Sequence, residues 1–161
     1  MKRDIKMDMD GGKFKYRVSG ALVVDGKLLV VQIMNNGFYC LPGGHIELGE
    51  FSNIAVDREF EEEVNTPVTV KCPMAMVESI FERKDGAKVH EVGMTYILEA
   101  TGDLQISSED YETVEDDDGV PKKLEFKWVK LEEIDSVDFR PAILKEQLKN
   151  KDFTFKHYTT D

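Results

Sequence analysis

Only two cysteines, one tryptophan and five prolines occur in the 161 residues, and no apolar run approaches the about 20 residues that cross a bilayer. The opening MKRDIKMDMDGG also lacks the apolar stretch of a secretory signal. A cytoplasmic protein with no membrane contact is therefore expected. Cys40 and Cys72 sit among apolar neighbours without CxxC spacing, which argues against a disulfide framework or a zinc cluster and reads as two buried thiols. Positive charge is scarce too: 21 bases against 32 acids give a net charge of −11, so broad nucleic-acid binding is not expected. The length suits one domain spanning residues 1–161, and 41% apolar residues can fill one core. Residues 1–13 are polar and carry Gly11-Gly12, the pattern of a loose arm or a first edge element.

What is present is strand and turn patterning. Residues 18–24 and 27–33 are rich in β-branched side chains and flank Asp25-Gly26, a two-residue hairpin signal. Residues 38–41 form a short apolar run, after which Pro42-Gly43-Gly44 predicts the end of regular structure and a loop. Ser52 is placed to cap a helix running to about Val64, with Asn65 in the left-handed terminal position and Pro67 preventing continuation. Residues 74–81 and 89–98 predict a second hairpin about Asp85-Gly86. The acidic stretch 103–121 is too long for a plain turn. Beyond it come a strand at 124–129, a helical turn at 131–134 and a helix opened by Pro141 and ending near Leu148. This order predicts an α+β fold in which two helices flank a sheet.

Glu59, Glu62 and Glu63 stand at i, i+3 and i+4, so an α-helix projects all three from one face. Val56, Phe60 and Val64 form the neighbouring stripe that docks on the sheet, which leaves the acid face open. Clustered carboxylates repel unless neutralised, and Mg²⁺ or Mn²⁺ suits oxygen donors; a merely solvated acidic face is the plainer reading. Nearby, Gly43-Gly44 lets backbone approach a ligand, and Arg58 offers a fork that can hold a carboxylate.

Taken together, Gly44, five residues, Glu50, seven residues and Arg58-Glu59-Phe60-Glu61-Glu62-Glu63 resemble the Nudix box, G-x5-E-x7-R-E-U-x-E-E-x-G-U with U a bulky aliphatic residue. Residues 37–44, the Asp25-Gly26 hairpin and residues 125–129 extend the resemblance over about residues 16–150. Phe60 replaces the first aliphatic residue, Asn65 the glycine and Thr66 the last aliphatic, so the departures fall on packing and turn angle rather than on the acids.

The resemblance implies a Nudix-type α/β/α sandwich with a mixed sheet. It also implies hydrolysis, with Mg²⁺ or Mn²⁺, of a pyrophosphate bond in a nucleoside diphosphate linked to another group. Glu59, Glu62 and Glu63 would be metal ligands, together with the Gly43 or Gly44 carbonyl, and Glu50 would steady the helix start or reach metal through water. Arg58 would orient the glutamates, and one acid of the 109–118 stretch, Glu115, would serve as a further base. Arg17, Phe38, Tyr39 and His45 are the candidate substrate contacts. A nucleotide-binding regulator without turnover is the competing reading, and the intact acids count against it. Phe81-Glu82-Arg83, at the distance where relatives carry a proline for ADP-ribose or a tyrosine for diadenosine polyphosphates, contains neither. The substrate thus stays open within small nucleotides, as does a homodimer.

Overall fold

The structure, a computed structural model, describes residues 3–101, 109–117 and 120–161, without side chains at 115–117. In chain order the strands are β1 (Lys6–Met9), β2 (Gly12–Val24), β3 (Lys27–Ile33), β4 (Gly43–His45), β5 (Val68–Glu82), β6 (Lys88–Ala100), β7 (Tyr111–Asp117), β8 (Val120–Lys130) and β9 (Lys156–Thr160). Helix α1 (Ser52–Glu59) runs on as a wider π turn over Phe60–Val64, and the short α2 (Lys145–Lys149) follows tight helical turns at Leu131–Ser136 and Ala142–Leu144. No helix among the described residues is long and apolar enough to cross a membrane.

Asp25 and Gly26 both take positive φ, 49° and 75°, as a two-residue hairpin between right-twisted strands requires. The hairpin strands pair only near this turn, Val23 with Leu28 and Val24 with Lys27. They then part: β3 continues along β8, while the vacated edge of β2 is taken by β4 and then β1. The other edge of β2 runs parallel to β6 from Gly12 and Lys88 to Leu22 and Leu98. With β5, β7 and β9 added, the sheet order is β7-β8-β3-β2-β6-β5-β9.

Period-2 alternation in β3 shows how this mixed sheet fills both faces. Leu29 and Val31 join the core under α1 with Val56, Phe60 and Val64, whereas Leu28 and Val30 join the core under α2 with Leu144 and Leu148. The expected sheet between helical layers is the architecture observed. Each fully buried large side chain contributes on the order of 1.5–3 kcal/mol, which makes these two layers the rigid floor on which α1 is seated.

Several local expectations need correction. Pro42-Gly43-Gly44 does not open a plain loop: Gly43–His45 is strand β4, because the missing β-carbon lets Gly43 lie against Val18 and Ser19 of β2. Ser52 is not the cap of α1; Phe51 holds that place, and the Ser52 hydroxyl is hydrogen-bonded to the Tyr96 hydroxyl at 2.7 Å. The acidic stretch contains β7, paired antiparallel with β8, so its residues 111–117 are sheet rather than connection. Strand β9, with no hydrophobic alternation to announce it, was not expected. Cys40 and Cys72 are half-buried free thiols rather than fully buried ones. Residues 6–9 take the edge-element alternative as β1, and Asn65 has the left-handed conformation expected of it, φ 51° and ψ 40°.

Phe60 fits under the sheet only because residue 20 of β2 is glycine. A β-carbon there would come within 2.7 Å of the Phe60 ring and would also strike Leu98. Gly20→Ala is therefore expected to cost about 1–3 kcal/mol through overpacking. Adding Phe60→Leu should recover part of that loss, a coupling that a double-mutant cycle of urea denaturation would reveal. Simple additivity would show that Phe60 is not what the glycine accommodates.

Candidate active site

Arg58, at the last turn of α1, is the hub of the site. Its Nε and one terminal nitrogen donate to the two oxygens of Glu50 at 2.8 and 2.9 Å, a bidentate fork. The other terminal nitrogen donates to Glu59 at 2.9 Å and, at longer range, to Glu62 at 3.4 Å. A bond to the His45 carbonyl at 3.2 Å ties the same guanidinium to β4. Glu50 also accepts the Glu47 N–H at 3.0 Å, so both of its oxygens are engaged. The Arg58 hydrogen bonds hold the Glu50 carboxyl below its usual range, and Glu50 in turn raises Arg58, so the pair stays charged.

Glu59 is only 7% exposed. Its carboxylate lies against the α-carbon of Gly44, where a β-carbon would collide with it. Glu62, by contrast, is exposed, and Glu63 is half-buried. The three acids thus do not share one open face. Beyond Glu59 the chain winds as a π turn over Phe60–Val64, in i→i+5 rather than i→i+4 geometry, so the angular spacing an α-helix predicts from Glu59 to Glu62 does not hold.

The backbone of β4 resolves which glycine carbonyl is accessible. Gly20 N–H donates to Pro42 O and Ile46 N–H to Tyr16 O, so the alternation of an antiparallel ladder commits the intervening Gly44 to Val18. Gly43 and His45 then direct their carbonyls away from β2, and the His45 carbonyl is the one that meets Arg58.

Arg17 and His45 are cross-strand partners in β2 and β4, on the opposite face from Val18 and Gly44. Arg17 is half-buried and makes no side-chain hydrogen bond or ion pair among the described residues. The His45 ring is lowered to about 4 by burial and then by Arg17, so it is neutral at physiological pH; its Nε2 is buried without a partner. Phe38 and Tyr39 lie elsewhere. Arg140 sits 4.4 Å over the Phe38 ring, and Tyr39 packs on the α2-side core with Lys127 5.7 Å from its ring centroid. Glu115 belongs to β7, but its side chain lies outside the described residues.

Sequence reasoning passed over Tyr111, the one aromatic residue in the acidic stretch. Its ring stacks on Phe126, with centroids 4.7 Å apart and planes 10° from parallel, and its hydroxyl is buried without a partner. A lone aromatic among so many acids is a weak local signal.

The donors suit a hard dication: carboxylates on one turn and, on the neighbouring strand, a backbone carbonyl not committed to the β2 ladder, with no thiolate or imidazole nitrogen in the set. Among the described residues, no three His, Cys, Asp or Glu side chains are already gathered to hold an ion. Glu62, exposed and only weakly held by Arg58, is the carboxylate free to move in.

The fold and this cluster define an α/β/α sandwich protein whose first helix carries an arginine-anchored acidic site at a sheet edge. Its sequence matches the NUDIX domain over residues 14–151, and the chain belongs to that family. It is 32% identical over 110 residues to the ADP-ribose pyrophosphatase of Methanocaldococcus jannaschii, an alignment covering 63% of this chain and 60% of that one. Among solved structures it resembles a NUDIX hydrolase from Nitrosomonas europaea, with TM-score 0.61 and 18% identity over 91% of this chain and 79% of the other. It also resembles a MutT protein from Methanosarcina mazei Go1, with TM-score 0.58 and 22% identity over 90% and 96%.

Proposed function

We propose that this protein hydrolyses a pyrophosphate bond in a nucleoside diphosphate joined to another group, with Mg²⁺ or Mn²⁺ as cofactor. One observation carries the reading: a nearly buried Glu59 carboxylate, locked by Arg58 against Gly44, at the foot of a turn bearing Glu62 and Glu63. Glu59, Glu62, Glu63 and the Gly43 carbonyl would hold the cation. When bound, it supplies neutralisation of phosphoryl charge and a more acidic water. Glu50, with both oxygens engaged, has an anchor's part: it fixes Arg58, and Arg58 fixes Glu59. Arg17 is the candidate for a non-reacting phosphate, since an unpaired guanidinium suits an anion, and neutral His45 beside it can bond without adding charge. Phe38 and Tyr39 are retained as candidate base contacts and Glu115 as a candidate base. The relative's name makes ADP-ribose a first substrate to try.

The test is chromatographic turnover on a panel of ADP-ribose, nucleotide sugars, nucleoside triphosphates and dinucleoside polyphosphates, with Mg²⁺ or Mn²⁺ and again with EDTA. Turnover of at least one compound, abolished by EDTA, is expected; full activity in EDTA would overturn the metal assignment. A substrate-free measurement complements it. At ten times its dissociation constant a cation that binds only the folded state adds RT ln 11, about 1.4 kcal/mol. For a domain of this size that is a melting-temperature rise of about 4 °C. Glu62→Gln and Glu63→Gln should lose most of this rise. An equal rise in all three proteins would mean that the ions merely screen the net charge of −11.

A further inference from the structure

We propose that Tyr111 is a positioning residue for Glu63: its phenolic O–H, held on the α1 side of β7 without an acceptor, fixes the Glu63 carboxylate when that carboxylate turns in towards a cation. The inference rests on the reading of Glu63 as a ligand.

Three observations converge. The phenol cannot wander, because Tyr111 stands opposite Phe126 in the β7–β8 ladder and stacks on it. It is aimed inward, because Tyr111 packs against the same core cluster that holds Phe60 and Val64, the two ends of the turn that carries Glu63. The hydroxyl ends there, buried and unpartnered. A buried donor with no acceptor is costly, so the arrangement is complete only when an acceptor arrives. Glu63 is the acid whose charge reaches this phenol. The charge of Glu63 also reaches Cys40, but that thiol already donates to the Val31 carbonyl at 3.7 Å. Tyr111 is thus the donor at this position that is still uncommitted.

Mn²⁺ alone is a sufficient probe, titrated by the electron paramagnetic resonance of the free ion into wild type, Tyr111→Phe, Glu63→Gln and the double variant. Tyr111→Phe keeps the stacked ring, so without Mn²⁺ it should melt no lower than wild type. Its Mn²⁺ affinity should fall about tenfold to a hundredfold, the size of one hydrogen bond to a charged group. In the Glu63→Gln background the same change should cost almost nothing further, because the hydroxyl acts through that carboxylate. Unchanged affinity in Tyr111→Phe, an equal loss in both backgrounds, or a clearly lower melting temperature would each overturn the assignment. If Glu63→Gln itself binds Mn²⁺ as wild type does, the reading of Glu63 as a ligand fails and the inference goes with it; a loss in Glu63→Gln alone defeats only the role given to Tyr111.

Discussion

Arg58→Met is expected to lower the stability of the metal-free protein by about 3–5 kcal/mol, the usual cost of removing one partner of a buried ionic cluster. At this chain length that is a melting-temperature loss of roughly 10 °C. The magnitude follows from what is left behind: Glu59 and Glu50, with side chains 8% and 15% exposed, would lose their counter-charge in a place water hardly reaches. The pH dependence has a definite sign. The pair depresses the Glu50 carboxyl in the folded state, so its stabilisation is full above the unfolded glutamate value of about 4.3 and is lost as pH falls through the lower folded value. The gap between wild type and variant should therefore be widest near neutrality and narrow in acid. Arg58→Lys should recover only a fraction, since an ammonium cannot reproduce the fork to Glu50 while also reaching Glu59. Thermal melts of the three proteins from neutral to acid pH decide it, and a gap that widens on acidification would contradict the ion-pair account.

Alanine at the two adjacent glycines should produce two different failures. In Gly43→Ala the new methyl meets backbone, with Ser19 Cα at 2.7 Å and the Val18 carbonyl closer still, and backbone in a paired strand cannot step aside. Strand β4 would have to leave β2, so a poorly folded protein is expected. In Gly44→Ala the methyl's nearest neighbours are the atoms of the Glu59 carboxylate, the end of a side chain, which can move. Folding should survive with a loss of about 1–3 kcal/mol. Hydrolysis, however, should fall roughly 100-fold or more, the size expected when a preorganised charged group is displaced from its position. Circular dichroism separates the two outcomes, and turnover of any substrate found in the panel completes the comparison. A fully active Gly44→Ala would show that Glu59 need not lie where the structure holds it.

The acidic helix and its arginine were legible because their chemistry is local. Glu50, Arg58, Glu59, Glu62 and Glu63 lie within fourteen consecutive positions, and spacing along one element constrains which side chains can meet. The hairpin at Asp25-Gly26 and the left-handed Asn65 were legible for the same reason, each being a backbone conformation that few residue types accept. Gly43-Gly44 misled for a reason of the opposite kind. Glycine signals a break when read locally, but here its use is close approach to a strand some twenty-five residues earlier, a contact that no local pattern records.

By itself, then, the sequence determined an α+β chain with an arginine-linked acidic turn and the oxygen donors a hard cation prefers, because residue type and short-range spacing suffice for those. Only the tertiary structure decided that Glu59 is buried against Gly44 while Glu62 stays in water, that the β2 ladder engages the carbonyl of Gly44 and not that of Gly43, and that the Tyr111 hydroxyl is buried without a partner. These depend on the short β4 wedged on one edge of β2, on the π turn that ends α1 and on the pairing of β7 with β8. Those are contacts between residues far apart in the chain, or small changes of helical pitch, and they are settled by how the two cores pack rather than by any residue's own preference.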